Sequence, residues 1–372
     1  MRQLSWPQAI GWHMRQHRLH RRSPRAEMLR VATEHGGLHA QVMSSAGLIA
    51  WCRVSDVHEV DISKALWKDR KLVKTWAMRH TLHLLTVADY WAWIGVASSL
   101  PAYVSPSWLR HLQLTPEELQ DMASAIGTAL LEQTLLRAEL AAVVARITGN
   151  ARFEQLLNQS WGLLLKPPCM RGLLCFAEGE GARSRFSHPA IQLRRPQPAK
   201  PRNGLRAIAR QFFATYGPAT EKDFARWLSL NMATTRQIMA SLGHTLEAVE
   251  VEGQIAWMIA GDAAEAQHAV PEPSVRLLPS FDPYVFGAGL SPERYLRGGD
   301  YKQIYKASAW YSPVLFAQGG FAGVWSMRKP GSKLVVDIQP FRALPAWMRK
   351  GAGLEAEMLA HSMDRKLELR IQ

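Results

Sequence analysis

The sequence has few cysteines and no long apolar run. Its three cysteines, Cys52, Cys169 and Cys175, are an odd number without CxxC spacing, which argues against a disulfide framework and against a zinc site. There is also no apolar stretch of about 18 residues and no basic-then-apolar leader. We therefore expect buried thiols, no bound metal, no membrane span and a cytoplasmic protein.

Acidic side chains are scarce as well. The 372 residues hold 31 Asp and Glu against 45 Lys and Arg, which gives a net charge of +14. The basic excess is concentrated in residues 1–112, around 194–210 and in 328–350. A merely soluble, charged surface would explain any one cluster, but three of them favour a nucleic acid as the partner. With 47% apolar residues, the chain suits two to four small domains with buried cores.

The first 270 residues repeat one pattern, in which short helices are followed by a pair of strands. In the clearest repeat, helix 204–215 stops at Gly217-Pro218, Thr220 caps the next helix, and a hairpin turns at Gly253. This pattern is typical of a winged helix. A proline-rich basic linker over 195–201 closes the repeat before it. We assign winged helices to residues 1–112, 113–200 and 201–270.

After Pro271 the sequence changes to short strands separated by glycine and proline. Strands are predicted at 275–278, 314–317, 321–327 and 333–338, followed by a terminal helix at 354–367. We predict a small β-barrel domain over 271–372. The predicted fold class is therefore α+β, with three tandem winged-helix modules followed by a C-terminal β-barrel.

Two polar residues follow the predicted end of the second helix. Gly36-Gly37 is expected to stop that helix, so that His39 and Gln41 lie in extended backbone, where residues two apart point to the same side. An imidazole and an amide aimed together could position water. The residues alone leave open an ordinary surface or structural role for both.

Short motifs along the chain resemble a known family. They are His39-Ala-Gln41, Ser45-Ala-Gly-Leu48, Thr75-Trp-Ala-Met-Arg79, Thr81-Leu-His-Leu84, Tyr216-Gly-Pro-Ala-Thr220, Leu278-Pro-Ser-Phe-Asp-Pro-Tyr284 and Gly323-Val-Trp325. In order and spacing they look like the AlkZ/YcaQ-like DNA glycosylases, and the resemblance extends over nearly the whole chain.

The resemblance implies removal of bases alkylated by bulky agents, including interstrand crosslinks, from double-stranded DNA held in a C-shaped cradle. The family's catalytic motif is glutamine, an aliphatic residue, then glutamine or aspartate. Here His39 stands at the first position and Gln41 at the last, and both are the implied catalytic residues. No cofactor is implied, and we expect a monomer that binds duplex DNA carrying alkylated bases.

The chemistry of an alkylated purine agrees with such a pair. Cleavage of a glycosidic bond builds positive charge on the sugar, and a neutral leaving group needs an acid to protonate it. A purine alkylated at N7 or N3 is already cationic, so Gln41 needs only to position water. His39 would accept the proton of that water, hydrogen-bond the sugar-phosphate, or only orient Gln41. Because no lysine adjoins the pair in sequence, we expect a monofunctional enzyme rather than a Schiff-base one.

Four basic residues are candidates for DNA contact. Arg79 and His83 fall on the polar face of a predicted strand and are either exposed strand residues or phosphate contacts beside the lesion. Arg328 and Lys329 precede the turn of a predicted barrel hairpin. A basic hairpin tip suits a DNA groove, although lysine also protects exposed sheet edges.

Two further residues have uncertain roles. Asp282 is either a turn-forming aspartate that hydrogen-bonds its own backbone or a carboxylate near the cleft that stabilises cationic charge. His80 stands where the family usually has glycine, so its side chain is expected to narrow the groove or to block a bulky adduct.

A protein that binds DNA without a reaction is the alternative function. The winged helices would suffice for a regulator or a lesion-shielding protein, and the histidine in the catalytic motif would then mark lost activity. Excision of an alkylated base distinguishes the two.

Overall fold

The computed structural model describes residues 1–97, 100, 106–160, 162–180, 183–193, 201–287, 292–306 and 310–372. Most of the predicted linker over 195–201 lies outside these residues. The described chain is a mixture of helices and strands, which confirms the α+β class.

The helices and strands are numbered in chain order. The helices are α1 (Trp6–Gln16), α2 (Met28–Glu34), α3 (Met43–Trp51), α4 (Glu59–Ser63), α5 (Val87–Ala97), α6 (Pro106–Leu112), α7 (Pro116–Leu130), α8 (Arg137–Thr148), α9 (Arg152–Gln159), α10 (Lys166–Met170), α11 (Pro189–Gln192), α12 (Pro201–Tyr216), α13 (Glu221–Leu228), α14 (Met232–Leu242), α15 (Asp262–Ala266), α16 (Pro283–Gly287) and α17 (Ala346–Ser362). The strands are β1 (Arg2–Leu4), β2 (Leu38–His39), β3 (Leu72–Trp76), β4 (Leu82–Thr86), β5 (Leu135–Leu136), β6 (Cys175–Glu180), β7 (Arg183–Ser187), β8 (Leu246–Val251), β9 (Gln254–Ile259), β10 (Val275–Leu278), β11 (Tyr305–Lys306), β12 (Trp310–Tyr311), β13 (Val314–Ala317), β14 (Gly320–Arg328), β15 (Lys333–Pro340) and β16 (Lys366–Ile371).

The chain forms two compact units. Unit 1 consists of residues 1–62 together with 209–372, and unit 2 consists of residues 63–208. Unit 1 thus combines the beginning of the chain with its second half. The number of winged-helix modules, their boundaries and their C-shaped arrangement stay predictions.

Unit 1 contains the pattern that the sequence predicts most clearly. Thr220 caps α13 by accepting a hydrogen bond from the backbone of Asp223, and the Asp223 side chain accepts one from the Thr220 backbone. The hairpin β8–β9 turns at Gly253, whose φ of +85° suits glycine. One pairing was not predicted: β1 adds to this hairpin as a parallel neighbour of β8.

Unit 2 packs helices against two small antiparallel pairings. Its core is formed by apolar residues of α7, α8 and α9 with strands β6 and β7, among them Met122, Ile126, Leu140, Phe153 and Phe186. Thr115 and Glu118 form a capping box at the start of α7. A separate hairpin, β3–β4, follows α4 in the chain.

The C-terminal domain is a five-stranded sheet in the order β10-β13-β14-β15-β16. Its edges are β10 and β16, so the described sheet is a half-barrel and not the closed barrel that the sequence predicts. Helix α17 packs on both of these edge strands. The predicted final helix was placed too late, because residues 366–371 form β16, which runs parallel to β15.

The three cysteines are buried free thiols, as predicted. Burial raises the pKa of Cys169 to about 12 and raises that of Cys52 and Cys175 as well. A thiol with a raised pKa is a poor nucleophile. These cysteines therefore serve as core residues.

A buried ion pair joins two distant parts of unit 1. Arg53 binds Asp282 through its two terminal guanidinium nitrogens, at 2.8 and 2.7 Å, and both side chains are fully buried. The remaining Arg53 donors reach the Ile49 carbonyl and the imidazole of His35, each at 3.1 Å. Asp282 also accepts a hydrogen bond from the Tyr284 backbone at 2.9 Å. Burial by itself lowers the pKa of Arg53, but Asp282 raises it above its ordinary value.

Three buried histidines of unit 1 are neutral at neutral pH. Burial lowers the pKa of His13 to about 4, and it lowers the pKa of His17 and His35 well below 6.5. The nearby charge of Arg53 lowers the pKa of both His17 and His35 further. The Arg53 charge thus favours the neutral form of the imidazoles around it. The Asp282 carboxylate neutralises the charge of Arg53.

Breaking the buried pair should destabilise the protein far more than breaking an exposed one. We expect Asp282→Asn to lower the free energy of unfolding by about 3–5 kcal/mol, because it leaves the Arg53 charge buried without a counter-ion. The control is Arg236→Gln, which breaks the exposed pair with Glu221 and should cost less than about 1 kcal/mol. Urea unfolding measures both. Equal losses would contradict a structural role for the buried pair.

His13 should make unit 1 sensitive to acid. The unfolded chain binds a proton at this residue below pH 6.5, whereas the folded chain does so only near pH 4. The contribution of the neutral His13 side chain to the free energy of unfolding is therefore complete above pH 6.5 and is lost as the pH falls toward 4. We expect about 2 kcal/mol of unfolding free energy to be lost between pH 7.5 and pH 5. His13→Gln should remove that part of the pH dependence, while His268→Gln, at an exposed residue, should leave it unchanged.

Candidate active site

The candidate catalytic segment lies between α2 and α3. Gly36 and Gly37 have φ values of +72° and +95°, which end α2 and turn the chain into the short strand β2. His39 ends that strand and is buried, with 7% of its surface exposed. Gln41 lies two residues before the start of α3 and is exposed.

An aromatic ring supports His39 from another part of unit 1. The His39 and Phe281 rings are stacked, with centroids 4.7 Å apart and planes 18° from parallel. Phe281 has a φ of +60°, a left-handed conformation that costs a bulky residue about 1–3 kcal/mol. The next residue, Asp282, is fixed by Arg53. The buried pair therefore offsets the strain that presents the Phe281 ring to His39.

His39 and Gln41 differ in exposure. The sequence predicts that both side chains point the same way from extended backbone, but β2 ends at His39. The His39 imidazole is packed, whereas Gln41 is an exposed residue. This arrangement makes Gln41 the accessible group of the segment. That the two act as a catalytic pair stays a prediction.

Asp282 lies in the interior rather than at a cleft. Its carboxylate is fully buried and faces Arg53, and it makes the backbone hydrogen bond to Tyr284 that is typical of a turn-forming aspartate. The positive charge that Asp282 neutralises therefore belongs to Arg53, a side chain of the protein itself. Sequence spacing gave no sign of Arg53 or of the Phe281 ring, since both partners lie more than 200 positions away from the groups that they contact.

Arg79 and His83 are close together in unit 2 but not on one strand. Arg79 lies in the turn between β3 and β4, with a φ of +56°, and His83 is a buried residue of β4. His83 Nδ1 lies 3.0 Å from the Thr81 carbonyl, and its Nε2 lies 3.4 Å from an Arg79 nitrogen. If Nδ1–H donates to that carbonyl, Nε2 accepts from Arg79. His83 is thus placed to orient Arg79, and its burial corrects the expected polar strand face.

His80 shares this turn and its left-handed backbone, with a φ of +55°. Burial, followed by the charge of Lys166, lowers the pKa of His80 to about 4. The imidazole is therefore neutral at physiological pH. Its expected effect on the DNA groove stays a prediction.

Arg328 and Lys329 stand at the tip of the β14–β15 hairpin, as predicted. Arg328 pairs with Asp337 at 3.1 Å, and Lys329 pairs with Glu59 at 3.7 Å. The Arg328 side chain is 62% exposed and that of Lys329 is 34% exposed. Exposed pairs of this kind are weak, so both cations are available to another anion at little cost.

Among the described residues, no group of three or more His, Cys, Asp or Glu side chains is arranged to hold a metal ion. None of the described helices combines the length and the apolarity needed to cross a bilayer.

Known proteins match the chain from the second helix almost to its end. A family model described as DNA glycosylase AlkZ-like matches residues 33–362. An interstrand DNA cross-link repair glycosylase of Streptomyces sahachiroi is 32% identical over 335 residues, which are 87% of this chain and 88% of that protein. The solved structure of Streptomyces sahachiroi DNA glycosylase AlkZ is similar with a TM-score of 0.87 and 30% identity, and 100% of both chains is covered.

The matched range includes the His39–Gln41 segment, the Phe281–Asp282 turn and the basic hairpin. Sequence motifs, fold and overall structural similarity agree. This chain belongs to the AlkZ-like family of DNA glycosylases.

Proposed function

We propose that this protein hydrolyses the N-glycosidic bond of purines alkylated at N7 or N3 in duplex DNA, including bulky and crosslinked lesions. The observation that carries the proposal is the exposed residue Gln41, two positions after a histidine whose ring is stacked on Phe281. Membership of the family supports a glycosylase. The name of the Streptomyces sahachiroi relative, a cross-link repair glycosylase, supports bulky and crosslinked substrates.

Gln41 would act on water. A neutral amide can both donate and accept hydrogen bonds, so it can orient a water molecule toward the anomeric carbon as positive charge develops on the sugar. The water oxygen bonds to that carbon, the glycosidic C–N bond breaks, the purine leaves as a neutral base, and the proton of the water is released to solvent. A cationic alkylpurine needs no acid to leave, in contrast to the neutral leaving groups of glycoside hydrolysis. An exposed amide is therefore a sufficient group for this substrate class.

His39 would act as a positioning residue. It is too deeply buried to meet DNA directly, and the Phe281 ring covers one of its faces. Such a side chain limits the freedom of the backbone that leads to Gln41. Orientation of a reacting group is worth several kcal/mol when the group is held rigidly.

Water rather than an amine would be the nucleophile. Lys64 is the first lysine of the chain, so the segment around His39 and Gln41 contains none. A Schiff base requires a lysine or another amine at the sugar. We therefore propose a monofunctional enzyme that leaves an abasic site.

Basic side chains would hold the phosphates. Arg328 and Lys329 lie at a hairpin tip, and the half-buried Arg79 lies in a second hairpin turn, 3.4 Å from His83 Nε2. The weak carboxylate pairs of Arg328 and Lys329 can be exchanged for phosphate oxygens. Together with the net charge of +14, this makes duplex DNA the proposed partner.

Excision assays should separate the roles of the two motif residues. On a duplex containing 7-methylguanine, followed by alkaline cleavage of abasic sites, we expect Gln41→Ala to lose at least about 100-fold in rate. His39→Ala should slow the reaction, with DNA affinity changed by less than about threefold. His39→Phe, which retains a ring against Phe281, should keep the rate within about tenfold and leave the pH profile unchanged.

The control is Gln339→Ala, at an exposed glutamine of β15, which should match the wild type. Equal losses in His39→Ala and His39→Phe would show that the imidazole itself takes part in proton transfer. Wild-type product no greater than that in buffer, on both small and bulky adducts, would instead favour the DNA-binding alternative without catalysis.

Salt dependence should test the proposed phosphate contacts. The logarithm of the DNA-binding constant should fall linearly with the logarithm of the salt concentration. Lys329→Gln should reduce the steepness of that line by about one unit. Glu59→Gln, which removes the carboxylate partner but keeps the lysine, should leave the steepness unchanged. A Lys329→Gln line parallel to that of the wild type would exclude the contact.

A further inference from the structure

A large aromatic side chain is exposed next to the ring that supports His39. Trp310 is 43% exposed, although tryptophan side chains are usually well buried. Its ring meets the edge of Phe281, with centroids 5.0 Å apart and planes 77° from parallel. Trp310 is thus the outer member of a ring series that begins at His39.

This series places Trp310 close to the proposed reaction centre. Phe281 lies 4.7 Å from His39 and 5.0 Å from Trp310. The His39 and Trp310 rings are therefore separated by a distance of at most about three base-pair steps, at about 3.4 Å a step. A duplex that brings a lesion to Gln41 would also bring its bases or its adduct within reach of Trp310.

The backbone around Trp310 fixes which way the indole faces. Trp310 and Tyr311 form β12, and neighbouring residues of a strand point to opposite sides. Both side chains contact Phe281, but Tyr311 also packs against Phe286 and is buried, whereas Trp310 is exposed. Lys306, the cross-strand partner of Trp310 on β11, is exposed as well. An exposed ring beside a cation is the combination with which proteins stack on nucleobases while contacting the phosphate backbone.

We propose that Trp310 is a stacking platform for a planar aromatic group of the damaged DNA and thereby contributes to lesion recognition. This inference rests on the proposed function of the His39–Gln41 segment. Two sources supply the same chemistry, namely a nucleobase at the lesion and an aromatic ring of a bulky adduct. The contact with Phe281 holds the Trp310 ring in place, so that little further ordering of this ring is needed when DNA binds.

The test compares two lesions and two tryptophans. Single-turnover excision is measured on duplexes carrying 7-methylguanine or N7-benzylguanine for the wild type, Trp310→Ala, Trp310→Phe and Trp347→Ala. Trp347 is the matched control, since it is 41% exposed on α17. We expect Trp310→Ala to lose roughly tenfold or more, Trp310→Phe to recover most of that loss, and Trp347→Ala to equal the wild type.

The pattern of losses identifies the stacked group. Losses on both duplexes indicate the nucleobase, and a loss on N7-benzylguanine alone indicates the adduct ring. Equal rates for Trp310→Ala and Trp347→Ala on both duplexes overturn the proposal.

A binding measurement keeps this test separate from the proposed function. If the wild type excises neither base, the glycosylase proposal fails, and the Kd ratio between undamaged and N7-benzylguanine duplexes then tests Trp310 alone. Trp310→Ala should reduce that ratio toward one, whereas Trp347→Ala should not. An unchanged ratio in Trp310→Ala overturns the platform, and urea unfolding confirms that each variant is folded.

Discussion

The candidate site depends on the buried ion pair between Arg53 and Asp282. Two charges without solvent exposure are stable only when each is fully matched, and here a two-point contact is completed by hydrogen bonds to the Ile49 carbonyl and the His35 ring. The pair fixes the turn that carries Phe281, and Phe281 in turn supports His39. A structural salt bridge thus supports the candidate catalytic segment through Phe281.

The same pair explains the neutral histidines behind the segment. Burial and the Arg53 charge both disfavour imidazolium at His17 and His35. Neutral rings can then pack edge-on against each other and against Tyr216 and Tyr284. Buried polar side chains in this part of unit 1 are therefore packed as uncharged rings. Gln41 and Trp310, by contrast, are exposed.

Features set by local interactions could be predicted from the sequence. The cap at Thr220 and the turn at Gly253 depend on residues within a few positions of each other, and both were placed correctly. Pairings between distant segments were missed. The parallel strand β16 and the addition of β1 to β8 are examples, since neither strand carries a local signal that names its partner. The strand predicted through Arg79 was also wrong at its centre, where a left-handed turn interrupts it.

By itself the sequence determined the basic character of the protein, its family, its α+β class and the motif that contains Gln41. Charge, composition and short motifs are properties of neighbouring residues or of totals, and no contact between distant residues is needed to read them. Only the tertiary structure decided that His39 is packed against Phe281, that Asp282 serves Arg53, and that Trp310 remains at the surface. The first two outcomes arise from contacts between segments more than 200 residues apart, which no local sequence pattern identifies.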